Sequence, residues 1–297
     1  MWTLRHGSLI GADATVAQVD CDARAIGAHR PVHIAVPGDV RLTASAAASL
    51  LAQPGPGRPS RPPGAASPVR PAGPDGGQPG CRSAELRDRL AHGVRWLDVR
   101  YRDEGDGARD DPRTLTIALD DILPAERIVA VDSGSFMGYP SMYLAVPDAD
   151  GFCMTQAYQS IGLGLASAIG SAIARPDRLT VAAPGDGGAL MGISELETVV
   201  RLGLPMVIVV YDDAAYGAEV HHFGPGGHPL DTVRFPAADI AAIGRGFGCD
   251  AVTVRAADDL RPVRDWLVGA RQRPLLIDAK VSADRSSWWL EEAFRGH

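Results

Sequence analysis

Two aspartates, with glycines beside the first, are the residues of this sequence best suited to do chemistry. Asp186 lies in the run Gly185-Asp186-Gly187-Gly188, and Asp213 follows 27 positions after it. Carboxylates supply the hard oxygen ligands that Mg²⁺ and Ca²⁺ prefer. Glycines let phosphate oxygens approach backbone N–H groups closely. The pair therefore predicts a site that holds a metal ion together with a diphosphate.

Each aspartate follows a segment with the pattern of a buried strand. Residues 179–183 form a short apolar run with β-branched residues, and residues 205–211 are almost continuously apolar, as in parallel sheets covered on both faces. Between them, Ser194 and Glu197 have the spacing of a capping box, which predicts a helix from there to about Leu202. Because strand, helix and strand form a right-handed crossover, both aspartates are predicted at one sheet edge, where open α/β sheets bind ligands.

Three features of the sequence resemble the thiamine-diphosphate-dependent enzyme family, in its acetolactate synthase branch. They are the Gly-Asp-Gly run followed 27 positions later by Asp213, the loop at 214–217, and the glycine-rich segment at 159–170. The resemblance implies that thiamine diphosphate and Mg²⁺ are the cofactors. The residues that it implies as metal ligands are Asp186, Asp213 and, through its carbonyl oxygen, Ala215. Further implied cofactor contacts are Gly185, Gly187, Gly188 and Tyr216. Many relatives have Asn where this chain has Asp213, so one more negative charge is expected beside the diphosphate.

Two segments upstream of the aspartates extend the resemblance. Ile161 matches the bulky apolar residue that, in the family, supports the bent cofactor beneath its thiazolium ring. Residues 128–136 resemble the first strand and loop of the cofactor-binding domain, and in relatives this loop contacts the diphosphate. By this resemblance Gly134, Ser135 and Phe136 are further candidates for cofactor contact.

The chain is expected to divide into three parts. Residues 1–52 resemble the last strands and a helix of the family's middle domain. Residues 53–80 are so rich in Pro, Gly and Ala that they predict an extended or disordered linker. In residues 81–297, alternating strand and helix patterns predict an α/β fold with a doubly wound, mostly parallel sheet that binds the diphosphate. Relatives bind FAD through the middle domain, and because only a remnant of that domain is expected here, FAD is not.

No residue of this chain can be assigned the activating role of the family. In relatives a glutamate on a first domain contacts the pyrimidine ring of the cofactor, and the chain is expected to lack that domain, so its catalytic residue is unknown. The family chemistry is decarboxylation or carboligation of 2-oxo acids such as pyruvate, by lyases and transferases. The expected assembly is a homo-oligomer or a complex with a partner chain that supplies the pyrimidine-binding domain. The alternative is a truncated, catalytically silent relative.

Composition argues against several other classes of function. The 297 residues carry a net charge of −7 with a pI of about 5.6 and no basic patch, which disfavours nucleic acid as a partner. The sequence has no signal-peptide pattern and no long apolar run, so no membrane association and a cytoplasmic location are predicted. Its four cysteines are widely spaced, which disfavours a zinc or iron–sulfur site and the oxoacid:ferredoxin oxidoreductases, whose cofactor-binding subunit uses clustered cysteines.

Three polar residues beyond the second aspartate have open roles. Glu219 could lie near the thiazolium ring, and His221 and His222 could face the substrate or the cofactor. On a strand the two adjacent histidines would point in opposite directions. They are therefore not expected to share a zinc ion.

Overall fold

The chain divides into two units, residues 1–80 and residues 81–297. The computed structural model describes residues 10–11, 13–28, 30–52, 83–93, 95–154 and 160–294. The predicted linker at 53–80 lies outside these ranges. None of the helices in the described ranges is both long and apolar enough to cross a membrane.

Within the described residues of the first unit lie two short parallel strands and a helix. Strand β1, Ala17–Asp20, pairs with β2, Ile34–Pro37, and helix α1, Val40–Ala52, follows. Asp39 fixes the start of this helix, because its carboxylate accepts a hydrogen bond from the Leu42 N–H at 2.8 Å. Strands and a helix are the elements that the sequence predicted for this region.

The second unit alternates strands and helices along the chain. Its strands are β3 Arg127–Val131, β4 Phe152–Met154, β5 Leu179–Ala183, β6 Val207–Asp212, β7 Asp250–Val254 and β8 Leu275–Lys280. Its helices are α2 Ala84–Gly93, α3 Pro112–Ile122, α4 Gly138–Tyr143, α5 Gly164–Ala174, α6 Asp186–Met191, α7 Glu195–Arg201, α8 Gly217–Phe223, α9 Ile240–Phe247, α10 Arg261–Val268 and α11 Trp288–Phe294.

One six-stranded sheet, in the order β4-β3-β5-β6-β8-β7, organises this unit, and all its neighbouring strands are parallel. The predicted doubly wound α/β fold is confirmed. Strands β5 and β6 are direct neighbours, so the two candidate aspartates follow adjacent strands at the same edge. Helix α7 begins where predicted, although the Ser194 side chain makes no capping hydrogen bond, because this residue is already helical.

Both faces of the sheet are covered, which explains the continuously apolar strands. In β6, Val209 and Tyr211 face one buried cluster, which also contains Leu115 and Leu119 of α3. Val210 faces the opposite cluster, which α5, α7 and α9 also line. Successive residues of a strand point to opposite faces, so each strand contributes to both halves of the core.

Two buried threonines differ in whether their hydroxyl groups have hydrogen-bond partners. Thr180 in β5 is 2% exposed, and its hydroxyl has no partner among the described residues. We expect Thr180→Val to stabilise the fold by about 1 kcal/mol, because an unpartnered buried hydroxyl is replaced by a methyl group. Thr116→Val is the matched control. Its hydroxyl donates to the Pro112 carbonyl and contacts the Tyr211 hydroxyl at 2.9 Å, so this change should cost about 1–2 kcal/mol. Urea unfolding of both variants measures whether each substitution raises or lowers the free energy of unfolding. A destabilised Thr180→Val variant would contradict the account.

The segment before α3 runs beside the end of β8 and buries a carboxylate. The Asp110 N–H donates to the Lys280 carbonyl at 2.8 Å, and the Asp110 carbonyl accepts from Ser282 at 2.9 Å. Burial raises the pKa of Asp110 to about 6, with a smaller contribution from Asp103. One of its carboxylate oxygens has no hydrogen-bond partner among the described residues.

This shift gives Asp110 a predictable effect on stability. Because its pKa is raised in the folded state, its favourable contribution is complete at low pH and is lost as pH rises through about 6. We expect Asp110→Asn to raise the free energy of unfolding by about 1–3 kcal/mol near neutral or higher pH, and by progressively less as the solution is acidified. Urea titrations across this range test the sign. The exposed Asp121→Asn should show no such trend, and an Asp110→Asn variant that is less stable at high pH would refute the prediction.

Candidate functional site

Asp186 lies where the chain leaves the central strand β5. Gly185 still pairs with Tyr211 of β6 before the chain turns. The sequence predicted no helix before Ser194, but α6 begins at Asp186 itself, because Gly185 is extended and its carbonyl accepts the first helical hydrogen bond. The Asp186 side chain is buried, and its Oδ1 accepts from the Gly187 N–H at 2.9 Å. The carboxylate is thus fixed at the predicted sheet edge.

The glycines that follow Asp186 are required by close neighbours. Each glycine inside a helix costs roughly 1 kcal/mol relative to alanine. A Cβ added at Gly187 would lie 2.5 Å from the Tyr216 ring, and one added at Gly188 would lie 2.5 Å from the Asp132 carboxylate. The chain therefore uses glycine here for close approach.

Asp213 lies directly after β6, in a strained turn. Ala214 has a φ of +58°, which costs a residue with a Cβ about 1 kcal/mol. Two hydrogen bonds hold this conformation: the Ala214 N–H donates to the Asp212 carboxylate at 3.0 Å, and its carbonyl accepts from Phe235 at 2.7 Å. The turn places the Ala215 N–H within hydrogen-bonding range of both candidate carboxylates.

The two carboxylates are electrostatically unfavourable in the protein alone. Burial raises the pKa of Asp186 well above its usual range, and the neighbouring Asp213 and Asp212 add to the rise. Burial also raises the pKa of Asp213. The Ala215 amide opposes both shifts, while the partly buried cation Lys280 pairs with Asp212 instead. Two such carboxylates side by side are well suited to surround a divalent cation.

The donor set fits Mg²⁺ bound together with phosphate. In the part of the chain that the structure describes, no three His, Cys, Asp or Glu side chains group into a metal site. The protein would then supply the Asp186 and Asp213 carboxylates and the candidate carbonyl of Ala215. Mg²⁺ takes about six oxygen ligands and commonly completes its shell with phosphate and water. A diphosphate is therefore the kind of ligand that this edge could complete.

The loop after β3 packs beside the second aspartate. Gly134 has a φ of +142°, a conformation open to glycine, and Ser135 follows it. The Ser135 hydroxyl is so close to Gly217 that an added Cβ would lie 2.5 Å from it and would also collide with the Asp213 carboxylate. The structure thus brings Ser135 together with the predicted metal ligand.

Phe136 packs against Gly185, the residue before Asp186. A Cβ added at Gly185 would lie 2.6 Å from the Phe136 ring. The ring is buried and stacks on Tyr211, with 5.5 Å between centroids. It therefore packs the loop onto the strand end that carries Asp186.

Tyr216 lies over the start of α6. Its ring is next to Gly187 and makes an edge-to-face contact with Phe235, with 4.6 Å between centroids. The Tyr216 N–H donates to the Val233 carbonyl at 2.8 Å, which pins the loop that follows Asp213. The ring and Gly187 are adjacent, as the resemblance implies for two residues of one site.

Ile161 lies in a turn ahead of α5. The glycine-rich segment was predicted to begin at residue 159, but residues 155–159 lie outside the described ranges, and the helix begins only at Gly164. Ile161 is half-buried, and the Gly162 N–H beside it donates to the Asp132 carboxylate at 2.8 Å. The turn is therefore tied to the end of β3.

Two buried aspartates next to the site were missed from the sequence. Asp132 follows β3 directly, and Asp212 is the last residue of β6. Together with Asp186 they place an acidic residue at the carboxyl end of three adjacent strands, and this repetition was the available signal. Arg109, also missed, donates to the Asp212 and Val281 carbonyls at 2.9 Å each and joins the ends of β6 and β8.

The residues with open roles lie on a helix, so the strand geometry considered for the histidines was wrong. Glu219, His221 and His222 all belong to α8. Burial lowers the pKa of His221, and Glu291 opposes the shift. On a helix, neighbouring residues point about 100° apart, so the two histidines still do not converge on one metal ion.

Known proteins resemble the part of the chain that carries both aspartates. Residues 132–279 match the family described as "Thiamine pyrophosphate enzyme, C-terminal TPP binding domain". The chain is 30% identical over 169 residues to acetolactate synthase of Bacillus subtilis, covering 57% of this chain and 29% of that protein. It is 27% identical to benzoylformate decarboxylase of Pseudomonas aeruginosa over 276 residues, covering 92% of this chain and 44% of that protein.

A solved structure shares the fold. The thiamine diphosphate-dependent 4-hydroxybenzoylformate decarboxylase of Rhodococcus jostii RHA1 superposes with a TM-score of 0.67 at 21% identity, over 93% of this chain and 45% of that one. The chain spans less than half the length of each of these relatives. Residues 132–279, which carry the paired aspartates, belong to the thiamine pyrophosphate enzyme family as its C-terminal TPP-binding domain.

Proposed function

We propose that this chain binds thiamine diphosphate with a divalent cation, Mg²⁺ in the first place. The metal ligands would be the Asp186 and Asp213 carboxylates and the Ala215 carbonyl, while Gly187 and Gly188 would meet the diphosphate. The observation that carries the proposal is the pair of carboxylates that follow adjacent strands, the buried Asp186 and the half-buried Asp213, each with a raised pKa. A bound cation would offset their mutual repulsion.

The remaining contacts would orient the cofactor. Ser135 lies beside Gly217 and Asp213, and Tyr216 lies beside Gly187, so both are positioned to contact a ligand held there. Phe136, next to Gly185, and Gly134 would shape the loop, and Ile161 would support the thiazolium ring. All of these roles come from the family, and those of Ser135, Phe136 and Tyr216 are also supported by their contacts with the segments that carry the two aspartates.

The reaction class that we propose is decarboxylation or carboligation of 2-oxo acids. Bound thiamine diphosphate supplies the electron-accepting centre that such reactions need, and the protein supplies binding and orientation. Relatives named acetolactate synthase and benzoylformate decarboxylase support this class. The particular 2-oxo acid and the catalytic residue are unassigned. A homo-oligomer or a partner chain that supplies the pyrimidine-binding domain, and the cytoplasmic location, stay predictions.

Calorimetric titration tests the cofactor proposal. Purified chain is titrated with thiamine diphosphate in the presence of Mg²⁺ and again in the presence of EDTA. We expect binding that depends on the metal, because the two neighbouring carboxylates repel a diphosphate unless a cation lies between them. Absence of binding at millimolar cofactor with Mg²⁺ would overturn the proposal.

A catalytically silent relative is the second candidate, because no residue of this chain has been assigned the activating role. Release of CO₂ from pyruvate and from benzoylformate separates the two. An active enzyme turns over at least one 2-oxo acid when loaded with cofactor and Mg²⁺, either alone or after addition of a chain that carries a pyrimidine-binding domain. Tight cofactor binding without turnover under both conditions would favour the silent relative.

A further inference from the structure

Asp132 is a buried carboxylate that the proposed function leaves without a role. It follows β3 and is 1% exposed. Its Oδ1 accepts from the Ser133 N–H and its Oδ2 from the Gly162 N–H, both at 2.8 Å. Burial raises the pKa of Asp132, and backbone hydrogen bonds from Gly162, Ser133, Gly164 and Leu163 oppose the rise. These donors are all main-chain groups, and three of them, Gly162, Leu163 and Gly164, are consecutive residues that lead into α5.

Glycines allow three elements to meet at this carboxylate. A Cβ added at Gly164 would lie 2.6 Å from the Asp132 Cβ, and one added at Gly188 would lie 2.5 Å from its Oδ2 and 3.2 Å from the Gly162 nitrogen. Gly162 itself has a φ of +87°, which glycine adopts without strain. The end of β3, the turn before α5 and the start of α6 are therefore in direct contact around one anion.

The residues on either side of this contact belong to different parts of the candidate site. Ile161 precedes Gly162 in the turn, whereas Gly188 lies on α6 with Asp186. We propose that Asp132 is a positioning residue, which holds the turn bearing Ile161 against Gly188 and so sets where the ring end of the cofactor lies relative to its diphosphate. This inference rests on the proposed function.

Asp132→Asn tests the inference with little change of volume. One carboxylate oxygen becomes an NH₂ group that must face a backbone N–H, so a hydrogen bond is replaced by a donor–donor contact. Two ligands are titrated calorimetrically with Mg²⁺: thiamine diphosphate and inorganic diphosphate. We expect affinity for thiamine diphosphate to fall about tenfold or more, and affinity for inorganic diphosphate to change less than about twofold. Asp186 and Asp213, which would bind the metal, are unchanged in this variant.

The control is the same substitution, aspartate to asparagine, at another position of the domain. Asp239 caps α9 by accepting from the Ala242 N–H at 2.7 Å, and its side chain is exposed. Asp239→Asn should leave both affinities unchanged. If Asp132→Asn lowers the affinities for both ligands equally, or lowers neither, the positioning role is overturned. Wild-type protein that binds neither ligand would instead reject the proposed function, and with it the inference toward the cofactor.

Hydrogen exchange without any ligand separates those two failures. In Asp132→Asn we expect the amides of Gly162 and Gly164 to exchange about tenfold faster or more, while those of β5 keep their protection. Unchanged exchange in the turn would show that the carboxylate does not hold it. Global loss of protection would mean that the variant has lost its fold. In that case the ligand titrations are made with Gly162→Ala, which strains the same turn but keeps the carboxylate. We expect the same result, a loss of affinity for thiamine diphosphate with little change for inorganic diphosphate.

A double variant tests whether Asp132 acts through Ile161. Ile161→Ala alone should lower the affinity for thiamine diphosphate and leave the affinity for inorganic diphosphate unchanged. Adding Asp132→Asn to it should lower the affinity for thiamine diphosphate by less than about threefold further, because the side chain that Asp132 positions is already removed. Full additivity of the two losses would contradict positioning through Ile161.

Discussion

Asp186→Asn will bind thiamine diphosphate about 100-fold more weakly than the unmodified chain in the presence of Mg²⁺, and its unliganded form will be more stable. The first effect follows from the loss of one anionic metal ligand at a site that has two. The second follows from burial, which raises the pKa of Asp186 well above its usual range. A group with a raised pKa destabilises the fold where it is ionised, so we expect a gain of roughly 1–3 kcal/mol at alkaline pH that shrinks as the solution is acidified.

Two measurements check this opposition between stability and binding. Calorimetric titration with Mg²⁺ gives the affinity, and urea unfolding of the unliganded protein gives the free energy of unfolding. The exposed Asp177, which pairs with Arg175 away from the site, provides the control as Asp177→Asn. It should bind thiamine diphosphate as the unmodified chain does. An Asp186→Asn variant that binds normally would show that this carboxylate is not a metal ligand.

Lys280→Met will destabilise the fold by about 3–5 kcal/mol, the largest loss of stability that we expect from a single substitution in this chain. The Lys280 ammonium donates to the Asp212 carboxylate and to the Ala238 carbonyl at 2.8 Å, and it lies 3.0 Å from the Asp278 carboxylate. Both carboxylates are almost fully buried. Removing the cation leaves two buried carboxylates without a positively charged partner, beside a strand end that already carries Asp213.

Urea unfolding measures this loss, and two further variants identify its cause. In Lys280→Met combined with Asp278→Asn, one of the uncompensated charges is gone, so part of the stability should return. Arg201→Met removes a cation that pairs with Glu197 on the surface of α7 and should change stability by less than about 0.5 kcal/mol. A Lys280→Met variant as stable as Arg201→Met would contradict the account of a buried ionic cluster.

The sheet was predictable because its physical signal is local. Strands β5 and β6 are apolar along their whole length, since the sheet is covered on both faces, and this pattern is visible in single segments of sequence. The crossover rule then placed Asp186 and Asp213 at one edge without any coordinates. Helix α6 was missed because Gly187 and Gly188 disfavour a helix locally, and only contacts with Tyr216 and Asp132 explain why glycine is needed there.

The interior of the site was less predictable because its interactions are long-range. Asp132 meets Gly162, 30 positions away, and Lys280 meets Asp212, 68 positions away. No spacing rule links such pairs, since their proximity depends on strand order. The strained conformation of Ala214 was hidden for a similar reason: it is held in part by Phe235, from a loop that the sequence left without a structure. Family resemblance supplied candidate residues, whereas burial and charge showed how they constrain one another.

A crystal structure of the unmodified chain with thiamine diphosphate and Mn²⁺ tests the central claim most directly. Mn²⁺ shares the preference of Mg²⁺ for oxygen ligands and gives an anomalous signal that locates it. We predict one anomalous peak coordinated by the Asp186 and Asp213 carboxylates, the Ala215 carbonyl and oxygens of the diphosphate. A cofactor bound without a metal between these two carboxylates, or a metal bound elsewhere in the domain, would contradict the account.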